Sequence, residues 1–199
     1  MVHYPNGRKH APVVEKNQKK QVEFGKRGMS FEESINESNA YYLTRGMAVL
    51  HKKPTPIQIV KVDYPHRSRA KITEAYFRHA STTDYNGVYK GLYLDFEAKE
   101  TKNKSSFPFS NFHIHQIQHM EQVIKQNGIA FVLLYFSTLN RIFYLPSLPL
   151  IQAFYEKERK SIPLSFVEEN GFEIQEGIAP RIPFLQIIDR LIEEKEHGN

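Results

Sequence analysis

Acidic and basic side chains lie close together in the sequence between residues 82 and 99. Side chains alternate between the two faces of a β-strand, so a strand over 91–99 would have one apolar face and one polar face. The residues on its polar face would be Tyr93, Asp95, Glu97 and Lys99. Asp84, from the preceding turn-like run, adds a further carboxylate. The spacing predicts a compact acidic pocket beside a fixed cation.

Such a pocket suits a hard divalent ion. Mg²⁺ prefers oxygen ligands and is usually held by one or two carboxylates together with substrate phosphate. Asp84 and Glu97 would supply that minimum, and a bound metal would activate water for attack on phosphorus. Lys99 would orient that water or stabilise the charged transition state. The alternative is a solvated cross-strand pair, because Glu-x-Lys is also common on exposed strand faces.

Composition limits the class of protein. The 199 residues fit one domain with a substantial core. The chain has no cysteine, which excludes disulfides and thiolate zinc sites. No apolar run approaches the roughly 20 residues that span a bilayer, and the polar N-terminus lacks a signal-peptide core. We therefore expect a cytoplasmic protein without a membrane partner.

Positive charge is concentrated in the first half of the chain. The net charge is +5, and residues 1–27 and 51–79 each carry seven Lys and Arg against two acids. Residues 150–199 reverse the balance, with six basic residues against ten acidic ones. This distribution favours a polyanionic partner such as nucleic acid. A basic surface that only maintains solubility is the alternative.

The N-terminal half is predicted to contain a flexible arm, a helix and an inserted basic segment. Residues 1–27 are polar and without periodicity, as is typical of a flexible arm. A capping box at Ser30 and Glu33 predicts the start of a helix. Glu37, one turn further on, faces either solvent or the metal pocket. Two prolines in 52–56 then break regular structure, and 57–62 reads as a strand.

The segment after that strand carries a row of positive charges. In an extended conformation Arg67, Arg69 and Lys71 share one face, because they are spaced at a period of two. Such a row can contact phosphates, which is why we interpret the segment as an inserted, DNA-facing arm. A charged edge strand that resists aggregation is the alternative.

A helix is predicted from a cap at Ser110 to about Gln126. Gln116 lies on or beside its buried stripe, where its amide must bond either to backbone or to the metal pocket. His115 and His119 have the spacing of paired metal ligands, but no third ligand is evident, so zinc is disfavoured. Downstream, we predict strands at 129–137 and 142–145 and helices at 148–159 and from Pro183.

Six short motifs together resemble the RecU family of bacterial Holliday junction resolvases, and the resemblance spans almost the whole chain. They are Tyr4-Pro5-Asn6-Gly7, Arg27-Gly28-Met29, Lys52-Lys53-Pro54-Thr55-Pro56, Ser81-Thr82-Thr83-Asp84-Tyr85-Asn86-Gly87, Asp95-Phe96-Glu97-Ala98-Lys99-Glu100-Thr101-Lys102 and Gly177-Ile178-Ala179-Pro180-Arg181. Each motif alone is weak, whereas the set is specific.

The resemblance implies an α/β fold, namely a restriction-endonuclease-like mixed sheet flanked by helices and carrying an inserted basic stalk. It implies a single nuclease domain at 28–199, with the stalk at about 52–78. The resemblance implies that the protein acts as a homodimer, in which each subunit nicks one of two opposed strands of a four-way junction during recombination and repair. A RecA recombinase partner is implied as well.

The resemblance also implies roles for particular residues. The residues implied to hold Mg²⁺ are Thr82, Asp84, Glu97 and Gln116, and Mn²⁺ would serve as a substitute for Mg²⁺. Lys99 would stabilise the transition state. The candidate DNA-binding residues of the stalk are Lys52, Lys53, Arg67, Arg69 and Lys71. The resemblance selects Asp84 over Asp95 as the metal ligand. Asp95 and Glu37 are then candidates for residues that contact the metal ligands without binding the metal themselves.

Two further functions stay open at this point. One is a nuclease for linear duplex or flap DNA. The other is a DNA- and recombinase-binding module that has the fold without the chemistry.

Overall fold

The computed structural model describes residues 29–64, 69–78, 82–156 and 159–197. The predicted N-terminal arm at 1–27 and the candidate DNA-binding residue Arg67 lie outside the described residues. The expectations for both therefore stay predictions.

Helices and strands are interspersed along the described chain. The helices are α1 (Phe31–Thr44), α2 (Ile114–Lys125), α3 (Ser147–Glu156), α4 (Leu164–Asn170) and α5 (Leu185–His197). The strands are β1 (Ala48–Lys52), β2 (Ile57–Asp63), β3 (Lys71–Phe77), β4 (Tyr85–Tyr89), β5 (Leu92–Thr101), β6 (Ser106–Pro108), β7 (Ile129–Phe136), β8 (Arg141–Pro146), β9 (Ser161–Pro163) and β10 (Phe172–Ile174).

Within the described residues, six strands form one mixed sheet in the order β1-β4-β5-β7-β8-β10. The neighbours β5 and β7 are parallel, and every other neighbouring pair is antiparallel. A parallel pair needs a crossover connection, and α2 lies in that connection. The predicted α/β fold class, a restriction-endonuclease-like mixed sheet flanked by helices, is confirmed.

Strands β2 and β3 form a hairpin that pairs with itself rather than with the main sheet. The ladder is antiparallel, with Ile57 opposite Phe77 and Asp63 opposite Lys71. Nearly all of its side chains are exposed. The hairpin is inserted between β1 and β4, which are neighbours in the main sheet. It lies within the predicted stalk at about 52–78.

The sheet has a buried cluster on each face. Helices α1 and α5 contribute Ile35, Tyr42 and Ile188 to one cluster. Helices α2, α3 and α4 contribute to the other. On the α1 side, the ring of Phe96 stacks between those of Tyr85 and Phe131, with centroids 4.8 and 4.7 Å away. These layers hold β5, the strand with the acidic residues, at the centre of the molecule.

Two element boundaries were predicted from local caps, and one of them differs from the structure. The capping box at Ser30 forms as predicted, with Glu33 bonded to the Ser30 backbone amide at 2.7 Å. The predicted start of α2 at Ser110 is wrong, because Ser110 lies in a 3-10 turn at Phe109–Asn111. Burial of Phe112 fixes the chain beyond this turn in an extended conformation, so that α2 begins only at Ile114.

Gly87 allows the close approach of β1 to β4. A Cβ atom at this position would collide with the backbone carbonyl of Val49 in the neighbouring strand. Glycine is therefore required beside the strand end that leads into the hairpin. Among the described residues, no helix is long and apolar enough to cross a bilayer.

Candidate active site

The polar face of β5 lies under helix α2 at Asp95 and Glu97, whereas Tyr93 is exposed. Glu97 is opposite Val132 of the parallel strand β7, so the two side chains point to the same face. Val132 belongs to the cluster that α2 covers with Ile117 and Met120. As predicted, Leu94 and Phe96 point into the opposite core. The Asp95 and Glu97 side chains are 0% exposed as a result.

Glu97 binds one group with each carboxylate oxygen. Its Oε2 accepts a hydrogen bond of 3.0 Å from the backbone amide of Asp84. Its Oε1 lies 2.7 Å from the Lys99 ammonium, which is largely buried itself. The structure thus brings together the three residues that the sequence predicted to carry the chemistry.

The environment of Glu97 favours its protonated form. Burial raises the pKa of the Glu97 carboxyl group to about 8, and the neighbouring Asp84 carboxylate side chain adds to the rise. Lys99 opposes it, because the ammonium stabilises the carboxylate. A buried carboxyl group whose surroundings raise its pKa toward neutral pH is a common feature of functional sites. A cation bound here would replace the proton.

The donor set fits a hard divalent ion. Asp84, whose backbone amide bonds to Glu97, and Thr82, two residues earlier in the same turn, are half-buried. No group of three or more Asp, Glu and His side chains arranged for a metal occurs in the described part of the chain. Mg²⁺ needs only one or two carboxylates and completes its shell with water and phosphate oxygens. Asp84 and Glu97 meet that requirement.

Thr82 and Gln116 already have hydrogen-bond partners. The Thr82 hydroxyl donates to the Thr83 carbonyl at 3.3 Å. The amide oxygen of Gln116, which is buried on α2, accepts from the His113 backbone amide at 3.1 Å. An amide oxygen has two lone pairs, so this bond leaves one for another donor or a cation. The predicted ligand roles of both residues stay predictions.

Asp95 is bonded away from the Glu97 pair. Its carboxylate accepts from the Thr83 hydroxyl, from the Lys53 ammonium at 2.8 Å and from the Tyr93 hydroxyl at 2.9 Å. His119 Nε2 lies 3.1 Å from the same carboxylate. Asp95 therefore connects several side chains next to the turn that carries Asp84, and none of these bonds involves Glu97. His119, considered above as half of a zinc pair, makes its contact here.

A cleft of about 350 Å³ lies beside Asp84 at the base of the hairpin. Its wall includes Lys52, Lys53, Arg78 and Thr82. Lys52 is exposed and forms a 2.6 Å ion pair with Glu32 of α1. The cleft therefore combines an acidic end with a basic wall, as expected for a site that receives a phosphodiester next to a metal ion.

The hairpin presents both charged and apolar groups. Arg69 and Lys71 are exposed near its tip, and the Arg78 guanidinium at its base bonds to Gln58 at 2.9 and 3.0 Å. Phe77 is 84% exposed. On α1, Glu37 is also exposed. The predicted DNA and metal roles of these residues stay predictions.

Sequence reasoning missed how the groups around Asp95 are linked. The shared strand face of Tyr93 and Asp95 was visible in the sequence. The pairing with Lys53, 42 positions earlier, was not. It depends on the β1–β4 ladder, which places Lys52 opposite Tyr85 and so brings the next residue to the Thr83 turn.

Comparison with known proteins gives a consistent result. The family model for RecU, described as "Recombination protein U", matches residues 26–190. A protein of Streptococcus uberis is 60% identical over 96% of this chain and 96% of its own length. One from Lactococcus lactis subsp. lactis is 59% identical, covering 97% of this chain and 99% of the relative. Both are named "Holliday junction resolvase RecU". The chain belongs to the RecU family.

Proposed function

We propose that this protein is a Holliday junction resolvase, a hydrolase that cuts phosphodiester bonds in four-way DNA junctions with the help of a divalent metal. The observation that carries the proposal is the buried Glu97 carboxyl, bonded to the Asp84 turn and paired with Lys99 at 2.7 Å. The match to relatives named for this activity extends over nearly the whole chain, and so over the segments that form this site and the hairpin.

The metal we propose is Mg²⁺, with Mn²⁺ as a substitute. Asp84 and Glu97 would hold it through carboxylate oxygens, and Thr82 and Gln116 would add neutral oxygen ligands. When bound, such an ion lowers the pKa of its water and neutralises charge on the phosphate. Burial of Glu97 supports this assignment, because a desolvated carboxyl gains more from a cation than from water.

Lys99 is proposed to act on the reacting phosphate. Its ammonium is fixed by the ion pair with Glu97 and retains some exposure, so it can reach a group at the mouth of the site. There it would donate to a non-bridging phosphate oxygen or orient the attacking water. The water oxygen would form a bond to phosphorus as the bond to the leaving ribose oxygen breaks, and a proton from the water would end on that oxygen, which leaves a nick with one phosphate end and one hydroxyl end.

DNA is proposed to lie along the basic wall of the cleft and the hairpin. Lys52, Arg69 and Lys71 are exposed there, where they would neutralise phosphates, with Lys52 exchanging its ion pair with Glu32 for a phosphate oxygen. The base of the hairpin lines the same cleft as the Thr82–Asp84 turn. A strand that passes the hairpin would therefore meet the carboxylates next. This geometry supports a branched substrate, whose centre has room for a projecting element.

Two further properties of the proposal concern assembly. We propose a homodimer, because a junction is resolved by nicks in two opposed strands and each subunit has one site. We also propose a RecA recombinase as partner, on the strength of the family resemblance. Size-exclusion chromatography with light scattering, and pull-down with purified RecA, test these two statements separately.

The activity is tested with a synthetic four-way junction, a linear duplex of the same sequence and a flap. Wild-type protein with Mg²⁺ is expected to nick opposed strands of the junction faster than it cuts the other two substrates. Asp84→Asn and Glu97→Gln are expected to bind the junction without cutting it. Lys160→Met, an exposed lysine away from the cleft, is the matched control.

The alternatives predict different products. A linear or flap nuclease would cut those substrates at least as fast as the junction. A binding module would bind all of them and cut none with any divalent metal. Either result would contradict the resolvase proposal.

A further inference from the structure

Lys52 and Lys53 are adjacent in sequence, but their side chains have different environments. The Lys52 side chain is 41% exposed and faces the cleft from the surface. Lys53 also lines the cleft, but its side chain is only 19% exposed and its ammonium lies 2.8 Å from the fully buried Asp95 carboxylate. Sequence reasoning assigned both residues the same role, as phosphate contacts. Their different burial calls for different roles.

Lys53 contacts the Thr83–Asp84 turn through both its side chain and its backbone. Its ammonium donates to the Thr83 hydroxyl at 3.0 Å. Its backbone amide donates to the Asp84 carbonyl at 2.7 Å. The Thr83 hydroxyl in turn donates to Asp95, which completes a closed set of bonds between Lys53, Thr83 and Asp95. The turn that presents Asp84 is thus fixed by the first residue after β1.

Asp95 has further partners besides Lys53 and Thr83. The Tyr93 hydroxyl and the His119 ring contact Oδ2, the oxygen that Lys53 also contacts, at 2.9 and 3.1 Å. The carboxylate thus connects three elements: the strand β5, the helix α2 and the segment that leads into the hairpin. A fully buried charge with this many partners is costly to rearrange. The position of Lys53 is therefore coupled to that of Asp84.

The same connection continues to Glu97. The Asp84 backbone amide, next to the Thr83 turn, donates to Glu97 Oε2 at 3.0 Å. A shift of the turn would move the Asp84 carboxylate relative to Glu97. Catalysis is sensitive to such shifts, since a misplacement of about 1 Å can lower the rate on the order of 100-fold.

We propose that Lys53 and Asp95 are positioning residues that fix the Asp84 turn to the base of the hairpin, and that Lys53 makes no phosphate contact. This inference rests on the proposed nuclease function. The two neighbouring lysines then have different roles: Lys52 contacts DNA, and Lys53 holds the Asp84 turn in place from inside the protein.

The test compares Lys53→Met with Lys52→Met and with Lys160→Met as the neutral control. Junction affinity is measured without metal at several salt concentrations. Cleavage is measured at saturating protein in single-turnover mode over a series of Mg²⁺ concentrations. Each lysine that neutralises a phosphate contributes about one unit to the slope of log affinity against log salt, so a shallower slope identifies a lysine that binds phosphate.

Lys53→Met is expected to keep the wild-type salt slope and junction affinity. Its cleavage rate is expected to fall on the order of 100-fold, with a higher Mg²⁺ concentration at half-maximal rate. Lys52→Met is expected to lose affinity and to reduce the slope by about one unit. A slope reduced equally by Lys53→Met would overturn the inference, and so would an unchanged cleavage rate.

Thr83→Val keeps the Lys53–Asp95 ion pair and the backbone bond from Lys53 to Asp84, and it removes the side-chain link through the Thr83 hydroxyl. It therefore tests the same idea if Lys53→Met fails to fold. It is expected to lower the cleavage rate about tenfold at an unchanged salt slope. A wild-type rate in this variant, with a thermal midpoint like that of wild type, would contradict the positioning role. If wild-type protein itself does not cut the junction, the proposed function fails instead.

Discussion

Metal binding at Glu97 is expected to displace a proton from its carboxyl group. The environment of Glu97 determines how strongly the metal affinity then depends on pH. Burial raises the pKa of this carboxyl group to about 8. At pH 7 about one molecule in ten, and at pH 6 about one in a hundred, carries the ionised form that binds a cation. The apparent affinity for Mg²⁺ or Mn²⁺ should therefore rise about tenfold per pH unit from pH 6 to 8, then level off.

Isothermal titration of Mn²⁺ into metal-free protein measures this directly. Titrations at pH 7 in buffers of different ionisation enthalpy should show release of about one proton per ion bound. The ion pair with Lys99 provides a second check, because its ammonium holds the pKa of Glu97 lower than burial alone would. In Lys99→Met the affinity should level off at a higher pH, while Lys160→Met should match wild type.

Two results would refute this reasoning. One is an affinity that stays constant between pH 6 and 8. The other is metal binding at pH 7 without proton release. Either would mean that Glu97 is ionised before the cation arrives, or that the cation binds elsewhere.

Three further outcomes are expected for stability, measured by urea unfolding without metal. The pKa of Glu97 is raised from 4.5 to about 8 in the folded state, so the stability that its protonated form contributes is fully present below about pH 4.5. That contribution is lost as the pH rises through 8, and the free energy of unfolding should fall by up to about 5 kcal/mol over this range. Glu97→Gln should flatten the dependence of the free energy of unfolding on pH. Phe96→Ala should cost about 3–5 kcal/mol, because the ring is stacked between two others, whereas Phe77→Ala, on an 84% exposed ring, should stay within about 0.5 kcal/mol. Gly87→Ala should cost about 1–3 kcal/mol through collision with the Val49 carbonyl, and an undiminished stability would mean that β1 can move away from β4.

Local patterns predicted much of the fold. The alternation along β5 identified which side chains face the core, and the capping box at Ser30 identified the start of α1, because both signals depend on nearby residues. The start of α2 was missed because burial of Phe112, a tertiary effect, outweighed a local cap at Ser110. Such boundaries depend on packing that a single sequence does not display.

The candidate site was predictable in part for the same reason. Glu97 and Lys99 are two residues apart on one strand, so their pairing follows from strand geometry. The burial of Glu97 and the link from Lys53 to Asp95 depend on α2 and on the β1–β4 ladder, which bring distant residues together. Lys52 and Lys53 look alike in the sequence, and only the fold distinguishes them.

The central claim is that Asp84 and Glu97 together hold the metal that supports junction cleavage. A crystal structure of the protein soaked in Mn²⁺ tests it most directly, through the anomalous signal of the ion. We predict a single strong peak within about 2.5 Å of carboxylate oxygens of both residues. A peak at another site, or none, from protein that cuts junctions in the same Mn²⁺ buffer would contradict the claim.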